Sequence, residues 1–274
     1  MKIAIQGELG SFSHQAALAM VSKARVMPCM VSRNVFEALD TGQADAAVIP
    51  IENSLAGSVT EHYDLLLEYS CYIELEFRLR IVHNLIAAPG TKFTDVRLVL
   101  SHPVALAQCR KFFRTNPRLR SEPFYDTAGA VKRILEDKIA GAAGIASKLA
   151  ALEYGGKILK AGIEDNKENY TRFFLIRKGK AKAKGLPVSG GAYKTSVAFA
   201  LKNKPGTLFR ALHIFADHGI NMTKIESRPV PGKPWEYVFY VDLLCGAAEF
   251  YKSVQTELLR QSEFVKVLGI YRAA

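Results

Sequence analysis

Residues 178–193 interrupt this 274-residue chain more sharply than any other stretch. Gly179, Gly185, Pro187, Gly190 and Gly191 alternate there with Lys178, Lys180, Lys182 and Lys184, and no apolar period runs through them. Such a segment cannot carry a buried core, so one core must close before it and another must start after it. The chain is long enough for both. We therefore expect residues 1–178 and 194–274 to fold as separate domains joined by a linker at 179–193.

Before the break, short apolar runs alternate with helical patterns. Residues 2–6 read as a buried strand stopped by Gly7, and 13–21 as a helix capped by Ser13. A helix over 35–39 leads into a strand over 46–51. Further on come a strand at 96–100, a helix over 103–113 opened by Pro103, a helix from an Asp126 cap through Leu135, and strands at 142–145 and 170–177. This βα rhythm predicts an α/β fold with a mostly parallel sheet. Over 72–88, Ile73, Leu75, Phe77, Leu79 and Ile81 alternate with polar residues. That spacing predicts one extended strand crossing between two lobes, about 1–76 plus 160–178 and 77–159. After the break the order is strand 195–201, helix 206–218, strands 220–229 and 235–243, helix 247–259 and strand 265–271. That βαββαβ order is ferredoxin-like.

Composition narrows the function. Cys29, Cys71, Cys109 and Cys245 are scattered, and the six histidines form no ligand set, so neither disulfides nor a metal site are expected. No apolar run approaches the ~20 residues that span a bilayer, and no signal-peptide core follows the first residues. A cytoplasmic protein without membrane contact is expected. The net charge of +11 raises the question of nucleic acid. Part of it sits in the 178–193 segment, without interleaved aromatic residues or a reading helix, and a small anionic metabolite accounts for the rest. There is no G-x-G-x-x-G or phosphate-binding loop, so no cofactor is expected.

Four segments carry a specific resemblance. They are Gly7-Glu8-Leu9-Gly10-Ser11-Phe12-Ser13-His14-Gln15-Ala16-Ala17, Ile49-Pro50-Ile51-Glu52-Asn53-Ser54-Leu55-Ala56-Gly57-Ser58-Val59, Asn169-Tyr170-Thr171-Arg172-Phe173 and Ile225-Glu226-Ser227-Arg228-Pro229. In order and spacing the chain resembles the prephenate dehydratases. The resemblance implies a two-lobed catalytic domain like type II periplasmic binding proteins, followed by an ACT regulatory domain. It also implies decarboxylative dehydration of prephenate to phenylpyruvate, feedback inhibition by L-phenylalanine, and a homodimer or homotetramer formed through the ACT domains. Arogenate dehydratase, and a non-catalytic amino-acid-responsive binding protein, remain as alternatives. The chain opens directly in the catalytic domain, so prephenate is expected from a separate enzyme.

The resemblance assigns catalysis to Thr171, Arg172 and Glu52. It assigns substrate binding to Ser11, Phe12, Ser13, Asn53, Ser54, Gly57, Ser101, Gln108 and Phe173. The residues support this in part on their own chemistry. A glycine-flanked turn into a helix favours a carboxylate, Asn53 and Ser54 offer neutral hydrogen bonds, and Arg172 can grip a carboxylate with two. Gln108 is expected in the second turn of the helix opened by Pro103. The phenylalanine pocket is assigned to Gly206, Thr207, Leu208, Leu212, Asn221, Glu226, Ser227 and Arg228, with Thr207 standing where the family commonly has alanine.

Overall fold

A computed structural model describes residues 1–180, 193–230 and 232–274. Most of the expected linker, including Gly185, Pro187, Gly190 and Gly191, lies outside the described residues. The chain divides into two compact units, Met1–Val59 with Phe77–Phe173, and Thr60–Glu76 with Phe174–Ala274. The divisions therefore fall inside the first domain expected from sequence.

The first unit holds two lobes. In one, strands lie in the order Arg25–Cys29, Lys2–Gln6, Ala46–Asn53, Tyr170–Lys178. Lys2–Gln6 is parallel to both its neighbours. Ile3, Ile5, Val48 and Ile49 are fully buried, as expected of central strands covered on both faces. In the other lobe the order is Lys157–Lys160, Asn84–Ala87, Ala142–Ala146, Leu98–Ser101, Arg120–Pro123. The strand Ala142–Ala146 is built from small residues, which lets helix Thr127–Glu136 press onto it. A Cβ at Gly144 would lie 2.7 Å from Val131 Cγ2. Asp126 caps that helix, accepting from the Gly129 amide at 2.6 Å, as its sequence position predicts.

The second unit contains the expected βαββαβ order: strand Tyr193–Leu201, helix Thr207–Asp217, strands Met222–Pro229 and Tyr237–Leu243, a helical stretch over 247–261, and strand Phe264–Arg272. The antiparallel order is Met222–Pro229, Tyr237–Leu243, Tyr193–Leu201, Phe264–Arg272. Val197, Phe199, Phe215, Val241, Phe250 and Leu258 form its core on one face. On the other face lies helix Thr60–Glu68, where the Tyr63 ring sits 5.0 Å from that of Tyr240. Lys266 Nζ donates to the carbonyls of Leu66, Leu67 and Tyr69 at 2.8–2.9 Å, satisfying the end of that helix.

Three local expectations are corrected. Helix Phe12–Met20 is capped by Ser11, not Ser13, because Ser11 keeps extended dihedrals and accepts from the His14 amide. The stretch 72–88 is two strands, Cys71–Arg80 and Asn84–Ala87. The ladder stops where the Ile81 amide turns to the Asn169 carbonyl and the His83 amide to Glu164 Oε2. The helix opened by Pro103 stops at Ala107, and a new one runs Arg110–Thr115. Gln108 sits at the break, its carbonyl taken by the Asp165 amide at 2.7 Å.

Candidate active site

The site is best built outward from Asn53, at the end of strand Ala46–Asn53. Its Oδ1 accepts from the Leu55 and Ala56 amides at 3.0 and 2.9 Å. Backbone amides only donate, so these two bonds fix which end of the side chain is oxygen. Its Nδ2 therefore faces the Tyr170 carbonyl at 3.1 Å, Asn169 Oδ1 at 2.7 Å and Thr171 Oγ1 at 3.0 Å. Thr171 accepts this bond and keeps its own hydrogen to donate elsewhere.

Gln108 brings in the second lobe. Its Nε2 donates to Asn53 Oδ1 at 3.2 Å, while its Oε1 accepts from Asn169 Nδ2 at 2.9 Å and meets His83 Nε2 at 2.8 Å. Asn169 is fully buried, His83 and Thr171 nearly so. Burial lowers the His83 pKa, outweighing the Gln108 bond and the Glu164 charge that raise it. The imidazole edge also meets the Phe12 ring, centroids 5.5 Å apart. Phe12, Asn53, Gln108 and Thr171 thus join one network, completed by two residues to which sequence analysis gave no role, Asn169 and His83. Asn169 did lie inside a quoted motif; nothing local marked His83.

The Gly7–Ser11 turn is held by the second lobe. Ser147 Oγ donates to the Gly10 carbonyl at 2.6 Å, and Tyr154 donates to that of Leu9 at 2.9 Å. Glu8 takes a hydrogen bond from Tyr125 and an ion pair from Lys132, each at 3.0 Å. Gly10, at φ +81°, has no room for a side chain, since a Cβ would lie 2.6 Å from Ala150 Cα. Burial raises the pKa of Asp126, and the nearby Glu8 charge adds to the effect, against the Gly129 bond.

Glu52 and Arg172 are placed differently from Thr171. Strands Ala46–Asn53 and Tyr170–Lys178 are neighbours, the end of one beside the start of the other, and the Ser54 amide donates to the Tyr170 carbonyl at 2.8 Å. The two strands therefore run antiparallel, which pairs Asn53 with Thr171 and Glu52 with Arg172. Successive strand residues face opposite sides. Since the Asn53 and Thr171 side chains meet, Glu52 and Arg172 are turned to the opposite face. Ser101 is also turned inward: it is fully buried and donates to the Ile145 carbonyl at 2.6 Å. Phe173 is buried as a packing residue, Ser13 lies in the first turn of its helix, and Ser54 bonds the Glu168 carbonyl at 3.0 Å. Gly57, at φ +85°, pairs with Asn53 in the turn back.

In the second unit Gly206 caps helix Thr207–Asp217 at φ +80°. The Thr207 hydroxyl donates to the carbonyls of Lys202 and Lys204, so it ties the loop rather than standing open. Leu208 and Leu212 pack on the core, and the Asn221 carbonyl accepts from the Leu244 amide at 2.8 Å. Glu226 pairs across the sheet with Tyr240, and Arg228 with Val238. Arg228 grips Asp64 with two bonds of 2.9 and 3.1 Å. Within one chain, Glu226 and Arg228 therefore face helix Thr60–Glu68, while Ser227 faces the side of Leu208 and Leu212.

Among the described residues no cluster of three or more His, Cys, Asp or Glu could hold a metal ion. No described helix is long and apolar enough to cross a membrane.

The prephenate dehydratase profile matches residues 3–181, and the ACT domain profile residues 195–247. The bifunctional chorismate mutase/prephenate dehydratase of Aquifex aeolicus is 40% identical over all of this chain and 74% of its own length. Arogenate dehydratase/prephenate dehydratase 2 of Arabidopsis thaliana, a chloroplastic protein, is 39% identical over 99% of this chain and 72% of its own. The crystal structure of prephenate dehydratase from Arthrobacter aurescens in complex with L-Phe superposes with a TM-score of 0.89 at 32% identity, covering all of this chain and 90% of that one. GqqA, described as a novel type of quorum quenching acylase, superposes with a TM-score of 0.90 at 34% identity, covering all of this chain and 98% of that one.

Proposed function

The chain belongs to the prephenate dehydratase family of hydro-lyases and carries an ACT domain, and from that premise we propose that it converts prephenate to phenylpyruvate under restraint by L-phenylalanine. The observation that carries the reading is the Thr171 hydroxyl, oriented by Asn53 and faced by Gln108 of the second lobe through the same amide.

The chemistry asks for little apparatus. The ring carboxylate leaves as carbon dioxide, the electrons of the broken C–C bond enter the ring, and the C–O bond at the opposite carbon breaks. The departing oxygen takes one proton and leaves as water, and aromaticity supplies the driving force. The protein must fix the orientation of the ring, desolvate the departing carboxylate and stabilise charge on the leaving oxygen. An aliphatic hydroxyl is a weak acid, so Thr171 acts as a hydrogen-bond donor to that oxygen. Asn53 makes this possible by occupying the lone-pair side of Thr171, which turns the hydrogen outward. By strand alternation Glu52 and Arg172 lie on the face opposite Thr171, so the contact with the leaving oxygen is assigned to Thr171. The Ser11-capped turn and Phe12 receive a substrate carboxylate and the ring.

The bound phenylalanine of the Arthrobacter protein and the ACT profile support the same effector here, acting through Gly206 to Leu212 and Glu226 to Arg228. Exposed Phe209 and Ile225 on the ACT unit support pairing of subunits into a homodimer or homotetramer. We place the enzyme in the cytoplasm. The name of the Arabidopsis relative keeps arogenate as a second substrate reading. Adding prephenate at neutral pH and following phenylpyruvate absorbance, with arogenate and its product phenylalanine in parallel, tests the proposal. Prephenate turnover that falls on adding L-phenylalanine is the expected result; no product from either substrate would overturn it.

A further inference from the structure

The geometry points to His83 as a positioning residue that fixes the carboxamide of Gln108, and through it the amide that faces Thr171; this rests on the dehydratase reading of the site. Two backbone amides, which can only donate, set the hydrogen-bonding sense of this cluster. The Leu55 and Ala56 amides set the oxygen of Asn53. Gln108 must then present its NH2 group to that oxygen, which turns its carbonyl toward Asn169 and His83. A carbonyl accepts only, so His83 carries its proton on Nε2.

The other imidazole nitrogen, Nδ1, is buried and has no hydrogen-bond partner among the described residues. The directed bond of this ring therefore goes to Gln108. The main chain of His83 is anchored on both sides, its amide on Glu164 Oε2 at 3.0 Å and its carbonyl under the Ile163 amide at 3.0 Å. Phe12 closes the ring's edge. A buried imidazole held in this way allows Gln108 one orientation. Without the Nε2 proton, Gln108 Oε1 keeps only the Asn169 donor, so the carboxamide that donates to Asn53 Oδ1 is held less firmly and the Asn53–Thr171 pair loosens.

His83→Phe keeps the aromatic contact with Phe12 and removes the donor, whereas His83→Gln supplies a donor of similar reach. With prephenate, His83→Phe should lower kcat about 10- to 100-fold, the size expected of a small misplacement at the reacting atoms. KM should stay within about threefold by the same reasoning, and His83→Gln should recover most of the loss. Full activity of His83→Phe, or equal losses in both variants accompanied by a lowered melting temperature, would overturn the assignment. A second readout does not depend on turnover. Long-range 1H–15N spectra of histidine-labelled protein should show the His83 ring protonated on Nε2, and the Gln108 side-chain amide signals should move in His83→Phe. An Nδ1-protonated ring would overturn the inference even in a fully active enzyme, while a wild-type protein inactive on both substrates but with the Nε2 tautomer would sink the dehydratase reading and leave His83's hold on Gln108 standing.

Discussion

Asn53 donates to Thr171 Oγ1 at 3.0 Å while its own oxygen is held by the amides of Leu55 and Ala56, so the side chain that shapes the turn also sets the direction of the threonine hydroxyl. The two jobs separate on substitution. Asn53→Asp retains an oxygen for both amides but removes the donor to Thr171 Oγ1, the Tyr170 carbonyl and Asn169 Oδ1. We expect a kcat reduced on the order of 10²–10³-fold, the loss typical of one preorganised donor, with the melting temperature near that of the wild type. Steady-state kinetics beside a thermal scan checks it.

Glu76 and Lys194 form a buried ion pair at 2.9 Å, with side chains 0% and 4% exposed, and Glu76 also accepts from the Ala274 amide at 2.7 Å. Removing one charge strands the other away from water. Glu76→Gln should cost about 3–5 kcal/mol, read as a lower denaturation midpoint, while a paired replacement by apolar residues at both positions should recover much of it.

Asp126 sits beside Glu8 with its pKa raised by burial. The folded state therefore favours the protonated form. Its contribution to stability is fully present below the unfolded pKa near 4 and is lost as pH rises through the higher folded value. Asp126→Asn keeps an acceptor for the Gly129 amide without the charge. Melting temperatures taken from pH 3 to 8 should show the variant gaining on the wild type as pH rises, and a constant difference would contradict the assignment.

Asp64 and Arg228 join helix Thr60–Glu68 to the ACT strand Met222–Pro229. That helix continues directly from the segment that holds Asn53. Asp64→Asn should leave basal turnover within about twofold, since exposed ion pairs contribute about 1 kcal/mol or less. It should weaken inhibition by phenylalanine at least about fivefold, the lower end of ordinary coupling between sites. Inhibition curves of the two proteins provide the check.

The architecture was legible because it rests on periodicity. The βα rhythm, the βαββαβ unit and the Asp126 cap all follow from apolar spacing and capping chemistry. What escaped depended on partners distant in the chain. The alternation over 72–88 implied a buried Leu75, and although Ile73, Leu79 and Ile81 are buried in that phase, Leu75 is exposed and Glu76 is buried; Glu76 turns inward to meet Lys194, 118 residues on. His83 reads as an ordinary histidine until Gln108 is seen against it. Glu52 and Arg172 matched motif positions, but a motif gives order along the chain, and only strand pairing gives the face. Ser101 was legible as a position, whereas the bond its hydroxyl donates to the Ile145 carbonyl depends on a strand 44 residues away.

The central claim is that a hydroxyl at position 171 lends a hydrogen bond to the departing oxygen. Thr171→Val preserves shape and removes only that group. Phenylpyruvate formation from prephenate by the purified variant should fall on the order of 10²–10⁴-fold, with Thr171→Ser within about tenfold of wild type on the same scale. A folded Thr171→Val enzyme that turns over prephenate at the wild-type rate would contradict the account.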